Sequence, residues 1–187
     1  MKMTQEQIAK VVPTIFAVLM IAVCRLLPHP WNFVPVSAAA IFGGIYLNKK
    51  WAFILPVASM AVADIFLGFS LPDIPFVYGS ILLAVLIGMW IGGRRKNKAA
   101  FTASLVSGTL GSSLIFYMVT NFGSWLTLGV YTKDVSGLMQ SYAMALPFFR
   151  NSLAGDMFFV SVFVISYELI SWFVSRSLKK PAVIVAK

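Results

Sequence analysis

Six stretches of this 187-residue chain are apolar enough to seek the hydrocarbon of a bilayer, and little sequence is left over for anything else. They run over residues 11–27, 35–47 (31–47 with the flank that begins at Trp31), 51–68, 75–92, 99–128 and 143–174. At about 1.5 Å of rise per residue, the second is short for a core roughly 30 Å thick, while the fifth and sixth are long enough to tilt or project. Charged residues make up 11% of the chain, where a soluble domain carries about 25%. The sequence therefore predicts an all-α integral membrane protein of six transmembrane helices, a single transmembrane domain over residues 1–187. No stretch is long enough for a separate soluble domain, so any nucleotide hydrolysis that drives this protein belongs to another chain.

The loops orient the bundle. Lys2 and Lys10 precede the first segment, Lys49 and Lys50 follow the second, and Arg94, Arg95, Lys96 and Lys98 follow the fourth. Arg176, Lys179, Lys180 and Lys187 lie at the end, which leaves only Arg25, Lys133 and Arg150 for the opposite side. The positive-inside rule then places both termini in the cytoplasm and the protein, multi-pass, in the cytoplasmic membrane. The net charge of +9 is explained by this topology without nucleic acid. The polar start, with no small-residue cleavage site after the first apolar run, predicts that no signal peptide is removed.

On this reading the outer connections are the chemically varied ones: 28–33 with His29, Trp31 and Asn32, 70–75 with Asp73, and about 129–142 with Tyr131, Lys133 and Asp134. Small residues form rows in two segments, Ala39 and Ala40 before Gly43 and Gly44, and Ala100, Ser104, Gly108 and Ser112. Such rows let helix backbones approach closely, within the chain or against a partner helix.

Polar groups at membrane depth mark candidate sites. The head of the last segment, Pro147 to Asp156, offers a helix-starting proline followed by Arg150, Asn151, Ser152 and Asp156. Arg150 and Asp156, six apart, lie on different faces of a helix. With Arg25 and Asp64 they read either as anchors of a binding pocket or as a structural ion-pair network. Tyr117, Asn121 and Ser124 form a stripe in the outer half of the fifth helix, suited to lining the same pocket or to bonding between helices. His29, Trp31 and Asn32 stand where an outer loop would cover it, although Trp31 equally suits an interfacial anchor. A lone histidine and the single Cys24 do not make a metal site. Glu168 reads as an acid satisfied at the inner interface or a contact for a cytoplasmic partner. Phosphate-binding loops, zinc-protease motifs and nucleophile elbows are absent, so neither an enzyme nor a bound cofactor is expected.

Several motifs together point to a family. Arg25-Leu-Leu-Pro-His-Pro-Trp-Asn-Phe, Ala38-Ala-Ala-Ile-Phe-Gly-Gly, Asp64-Ile-Phe-Leu-Gly-Phe, Thr120-Asn-Phe-Gly-Ser-Trp and Ala145-Leu-Pro-Phe-Phe-Arg-Asn-Ser-Leu-Ala-Gly-Asp resemble those of a family of small bacterial transport-type proteins of unknown function. That family is similar to the substrate-binding S components of energy-coupling factor vitamin transporters. The resemblance implies an S-component-like bundle and an outward pocket for a small water-soluble vitamin or cofactor precursor. It also implies partners, a transmembrane coupling protein and two cytoplasmic ATPases. The alanine pattern by which S components dock the coupling protein has its nearest match in Ala9, Pro13 and Ala17, so a solitary transporter stays open. Two other readings remain beside the transport subunit: a structural protein of a cell-envelope complex, and an ion-coupled carrier using Asp64 or Asp156 as a proton site.

Overall fold

A computed structural model describes residues 32–67 and 72–178. Among these residues every regular element is helical: α1 (Val36–Tyr46), α2 (Lys49–Leu67), α3 (Ile74–Gly92), α4 (Lys98–Thr127) and α5 (Val135–Leu178). Three stretches are long and apolar enough to cross a membrane, namely Ile74–Gly92, Lys98–Thr127 and Val135–Phe173. The expected all-α membrane class holds at that level, whereas a count of six spans does not follow from the described residues. Segment 11–27 lies outside them, and α1, at 11 residues, reaches only about 16 Å.

Helices α3 and α4 are built inside out relative to a soluble protein. The buried face of α4 is Ser104, Gly108, Thr109, Ser112, Ser113 and Gly123, while Val106, Leu110, Leu114, Met118 and Phe122 are exposed. Likewise Leu82, Leu83, Leu86 and Trp90 face outward from α3. Water would penalise so continuous an apolar surface, and lipid tails do not. Two of the inward hydroxyls are satisfied locally: Ser104 donates to the Ala100 carbonyl and Thr109 to that of Leu105, each at 2.7 Å. Hydroxyl back-bonding of this kind lets a polar residue face a neighbouring helix in hydrocarbon without an orphaned donor.

Around α1 the other helices are arranged by side-chain size. One face, with Gly44, meets α3 backbone to backbone: a Cβ on Gly44 would lie 2.7 Å from the Met89 amide nitrogen, and one on Gly88 would overlap the Ile41 carbonyl. A second face places Gly43 against Ala52 of α2. The third carries Phe42 and Tyr46, whose rings pack on Phe163 and Tyr167 of α5 with centroids 5.8 and 3.9 Å apart. Ala38, Ala40 and Ile41 are 0% exposed. The small-residue row of α1 thus serves packing within the chain, and so does Gly108 of α4, which sits under Ile87 and Ile91 of α3.

Helix α5 corrects the expected boundary of the last segment. The sequence puts the last segment at 143–174, with Pro147 as a helix-starting proline near its head, and a connection over about 129–142, but α5 begins at Val135 and carries Pro147 in its interior. Proline is tolerated inside a membrane helix when neighbours satisfy the freed backbone groups. The start is set upstream by Asp134, whose carboxylate accepts the Gly137 N–H at 2.7 Å and the Thr132 hydroxyl at 2.8 Å. The first turns then pack on α4: Tyr142 donates to the Met118 carbonyl and Ser141 to that of Asn121. With 44 residues, α5 spans about 66 Å if straight, roughly twice the hydrocarbon thickness.

Arg94, Arg95 and Arg176 mark one end of the described bundle. Arg95, after α3, pairs with Glu168 of α5 at 3.0 Å, and Tyr46, at the end of α1, donates to the same carboxylate at 2.8 Å. Arg94 and Arg176 stack on Trp90 and Trp172. At the opposite end, Thr127 of α4 donates to Asp73 at the start of α3, and Lys133 reaches the Trp125 and Leu126 carbonyls.

This packing can be tested at both ends of the size scale. Gly88→Val, forcing a branched side chain into the Ile41 carbonyl, lowers stability by at least the ~1–3 kcal/mol typical of overpacking, read as a lower unfolding midpoint in detergent. Gly79→Ala, whose added Cβ meets nothing within 4 Å, does not lower the midpoint and raises it by whatever the better helix former contributes. At the head of α5, the Gly137 amide and then the Thr132 hydroxyl hold the Asp134 carboxyl below its usual range. The cap is therefore fully present above the ordinary carboxylate pKa and is lost as pH falls through the depressed value. Hydrogen exchange at residues 136–138, corrected for intrinsic rate, should lose protection over that window, and Asp134→Asn should abolish the step.

Candidate functional site

In the half of the bundle remote from the basic end, α1, α3, α4 and α5 leave room between them. Two cavities, of about 200 and 290 Å³, share Asn32, Val77, Phe116 and Ser152 in their walls and so adjoin one another. Asn32 is exposed at their rim. Its φ of 60° is a left-handed conformation that asparagine adopts more readily than most residues, and it turns the chain into α1. Ser37, one residue into that helix, lines the smaller cavity with Met60 of α2 and Asp156 of α5.

Asp156 is the one charged side chain lining either cavity among the described residues. It is 3% exposed, accepts the Ser113 hydroxyl at 2.6 Å, and has Ser37 as a second side-chain partner. Ser113 also lies 3.1 Å from the Thr109 carbonyl. The small residues of α4 are what allow this: a larger side chain at position 113 would fill the space the carboxylate enters. Two hydroxyl donors partly replace the hydration that a carboxylate gives up on burial.

The larger cavity is aromatic at one wall and polar at the other. Phe116, Tyr117, Phe148 and Phe149 supply rings, with Tyr117 and Phe149 centroids 4.6 Å apart. Tyr117 donates to the Tyr142 carbonyl at 2.7 Å, Thr120 to that of Phe116 at 2.7 Å, and Asn121 to that of Tyr117 at 2.8 Å. These bonds hold the three side chains in place.

The structure brings together some of the residues singled out from the sequence. Asn32, Tyr117, Asn121 and Asp156 line the cavities. Arg150 is exposed on α5 and lines neither, as its six-residue offset from Asp156 requires, and it pairs with no acid among the described residues. Asn151 is half-buried and Asp64 accepts the Tyr78 hydroxyl at 2.7 Å, tying α2 to α3; neither is among the lining residues. Arg25, His29, Trp31 and Cys24 lie outside the described residues. Ser113 and Ser37 escape notice in the sequence because a serine in a small-residue row looks like packing; the signal available is a lone acid on another helix that needs donors. Glu168 is a satisfied acid, held by Arg95 and Tyr46. Among the described residues no cluster of three metal-ligating side chains occurs.

Residues 5–180 match the model of a family of unknown function (DUF6580), and the chain belongs to that family. No curated protein and no solved structure matches it.

The buried pair of Ser113 and Asp156 makes a testable energetic statement. Ser113→Ala removes one donor from a buried carboxylate and should cost about 1–3 kcal/mol. Adding Asp156→Leu to that variant removes the unsatisfied group and should recover most of the loss. Equal, additive losses in chemical unfolding would show that the two side chains are not coupled.

Proposed function

We propose that this member of a family without assigned activity is a membrane-embedded substrate-binding transport subunit, taking up a small water-soluble vitamin or cofactor precursor. The observation that carries the reading is the pair of adjoining cavities with a buried carboxylate in one and an aromatic wall in the other. Ligand sites are typically concave, mostly apolar and furnished with a few fixed polar groups, and an acid kept at membrane depth is otherwise costly. In this proposal the chain makes six spans in the cytoplasmic membrane with both termini inside. The basic end, with Arg94, Arg95 and Arg176, faces the cytoplasm, and the cavities open outward at Asn32. A transmembrane coupling protein and two ATPases enter as partners only through the resemblance of the sequence motifs to a family that is similar to S components, and the docking pattern of S components has its nearest match in Ala9, Pro13 and Ala17. Substrate recognition falls to Asp156, Asn121, Tyr117 and Asn32, with Arg150 outside the pocket.

Asp156 also favours a second reading, a solitary carrier in which this carboxyl takes up and releases a proton. Uptake by cells lacking any coupling ATPase, with a dependence on pH that Asp156→Asn removes, would select it.

The binding reading is tested by mass spectrometry of small molecules that co-purify with the protein in mild detergent. A compound enriched in the natural protein should persist in Arg150→Ala and disappear from Asp156→Asn of unchanged elution profile. Identical small molecules in all three, or none enriched over an unrelated membrane protein, would contradict it.

A further inference from the structure

The chemistry of the cavities narrows the class of ligand. Three hydroxyl hydrogens in the walls are committed, Ser113 to Asp156 and Tyr117 and Thr120 to backbone carbonyls, while Ser124 and Ser152 line the larger cavity and can still donate. A hydroxyl has one hydrogen and two lone pairs, so each of the three committed oxygens keeps acceptor capacity and has no hydrogen left for a ligand. Asn121 spends one amide hydrogen on the Tyr117 carbonyl and keeps the other, together with its own carbonyl as an acceptor. Asp156 adds a carboxylate, an acceptor only when ionised. Among the described residues no lysine, arginine or histidine lines either cavity, and Arg150, the nearest candidate in the sequence, is exposed on another face. Among the described residues these walls carry a carboxylate and several acceptors, can also donate from Ser124, Ser152 and the asparagine amides, and have no positive charge.

An anionic ligand would meet the reverse of what it needs. Two like charges about 4 Å apart, at an effective dielectric of about 20, repel strongly enough to cost on the order of a thousandfold in affinity. A cation gains the same interaction with the opposite sign. The rings of Phe116, Tyr117, Phe148 and Phe149 add a surface for a flat apolar body and for the ring-face attraction of a cation. Size agrees, since a cavity of about 150 Å³ accepts a benzene ring and the larger one here is about 290 Å³.

We infer that the site takes a protonated amine carrying an aromatic or similarly flat apolar body, its ammonium on Asp156 and its body against Phe116, Tyr117 and Phe149. This rests on the reading of the cavities as a binding site and specifies what binds there. The ammonium N–H groups fill the acceptors that the walls leave open, and the ion pair compensates a carboxylate that otherwise has only hydroxyl partners among the described residues.

Three probes of matched shape test it: phenethylammonium, 2-phenylethanol and 3-phenylpropanoate. Each is equilibrated with the full chain in lipid nanodiscs, with empty nanodiscs subtracted, and retention is measured by dialysis. The cation should be retained at least tenfold more tightly than the other two, and Asp156→Asn should weaken the cation at least tenfold while leaving the neutral probe within twofold. If the alcohol or the carboxylate is retained as well as the cation, or if folded Asp156→Asn keeps the cation, the amine assignment falls while the binding site stands. Retention of none of the three overturns the binding site and the assignment together. Should Asp156→Asn not fold, the ranking of the three probes on the natural protein decides alone.

Discussion

The contact between Gly44 and Gly88 is what lets the rest of this molecule exist in its observed form. Because neither helix carries a side chain there, α1 and α3 meet at their backbones, and an 11-residue helix can lie wholly inside a bundle it is too short to span. Hydrophobic burial does not drive helices together within lipid, so close van der Waals contact must. With one face of α1 fixed against α3, its other faces receive α2 and the aromatic rings of α5. The N-terminal end of α1, with Asn32 and Ser37, is thereby held at the mouth of the space between α3, α4 and α5.

That placement also governs how charge is tolerated. Near the basic end, Glu168 has an arginine and a tyrosine hydroxyl and is partly exposed, so the pair there is worth little to stability. Asp156 is different: it is buried, its partners among the described residues are hydroxyls, and it borders a cavity. A carboxylate retained under those conditions is poorly explained by packing alone, since an apolar residue would fill the site at lower cost. The tyrosine, threonine and asparagine of α4 each turn a donor onto a backbone carbonyl, which holds these wall side chains in place.

Much of the frame is legible in the sequence because membrane burial leaves a coarse signature. Charge-poor runs mark α3 and α4 to within a residue or two of their ends, and the loop lysines and arginines mark the end at which Arg95 meets Glu168. The shortness of α1 can be read as well, but not its enclosure on every side, which depends on Gly88 in a different helix. The start of α5 is hidden because Pro147 is a strong local start signal, while the cap at Asp134 forms only when Thr132 and Gly137 close around that carboxylate. Of the site, the acid is visible and the separation of Arg150 from Asp156 follows from helix geometry. The Ser113 partner, 43 residues away in sequence, and the committed hydrogen of Tyr117, spent on a carbonyl of another helix, are products of tertiary packing.

The central claim is that a cavity bordered by Asp156 opens to the face opposite the basic end. Ser152 lines both cavities, so the direct measurement is the labelling of Ser152→Cys, in a Cys24→Ser background, by a small membrane-impermeant thiol reagent applied to either side of sealed vesicles of known orientation. The account predicts rapid labelling from the outer side alone. Labelling only from the side bearing Arg94 and Arg95, or none in folded protein from either side, would contradict it.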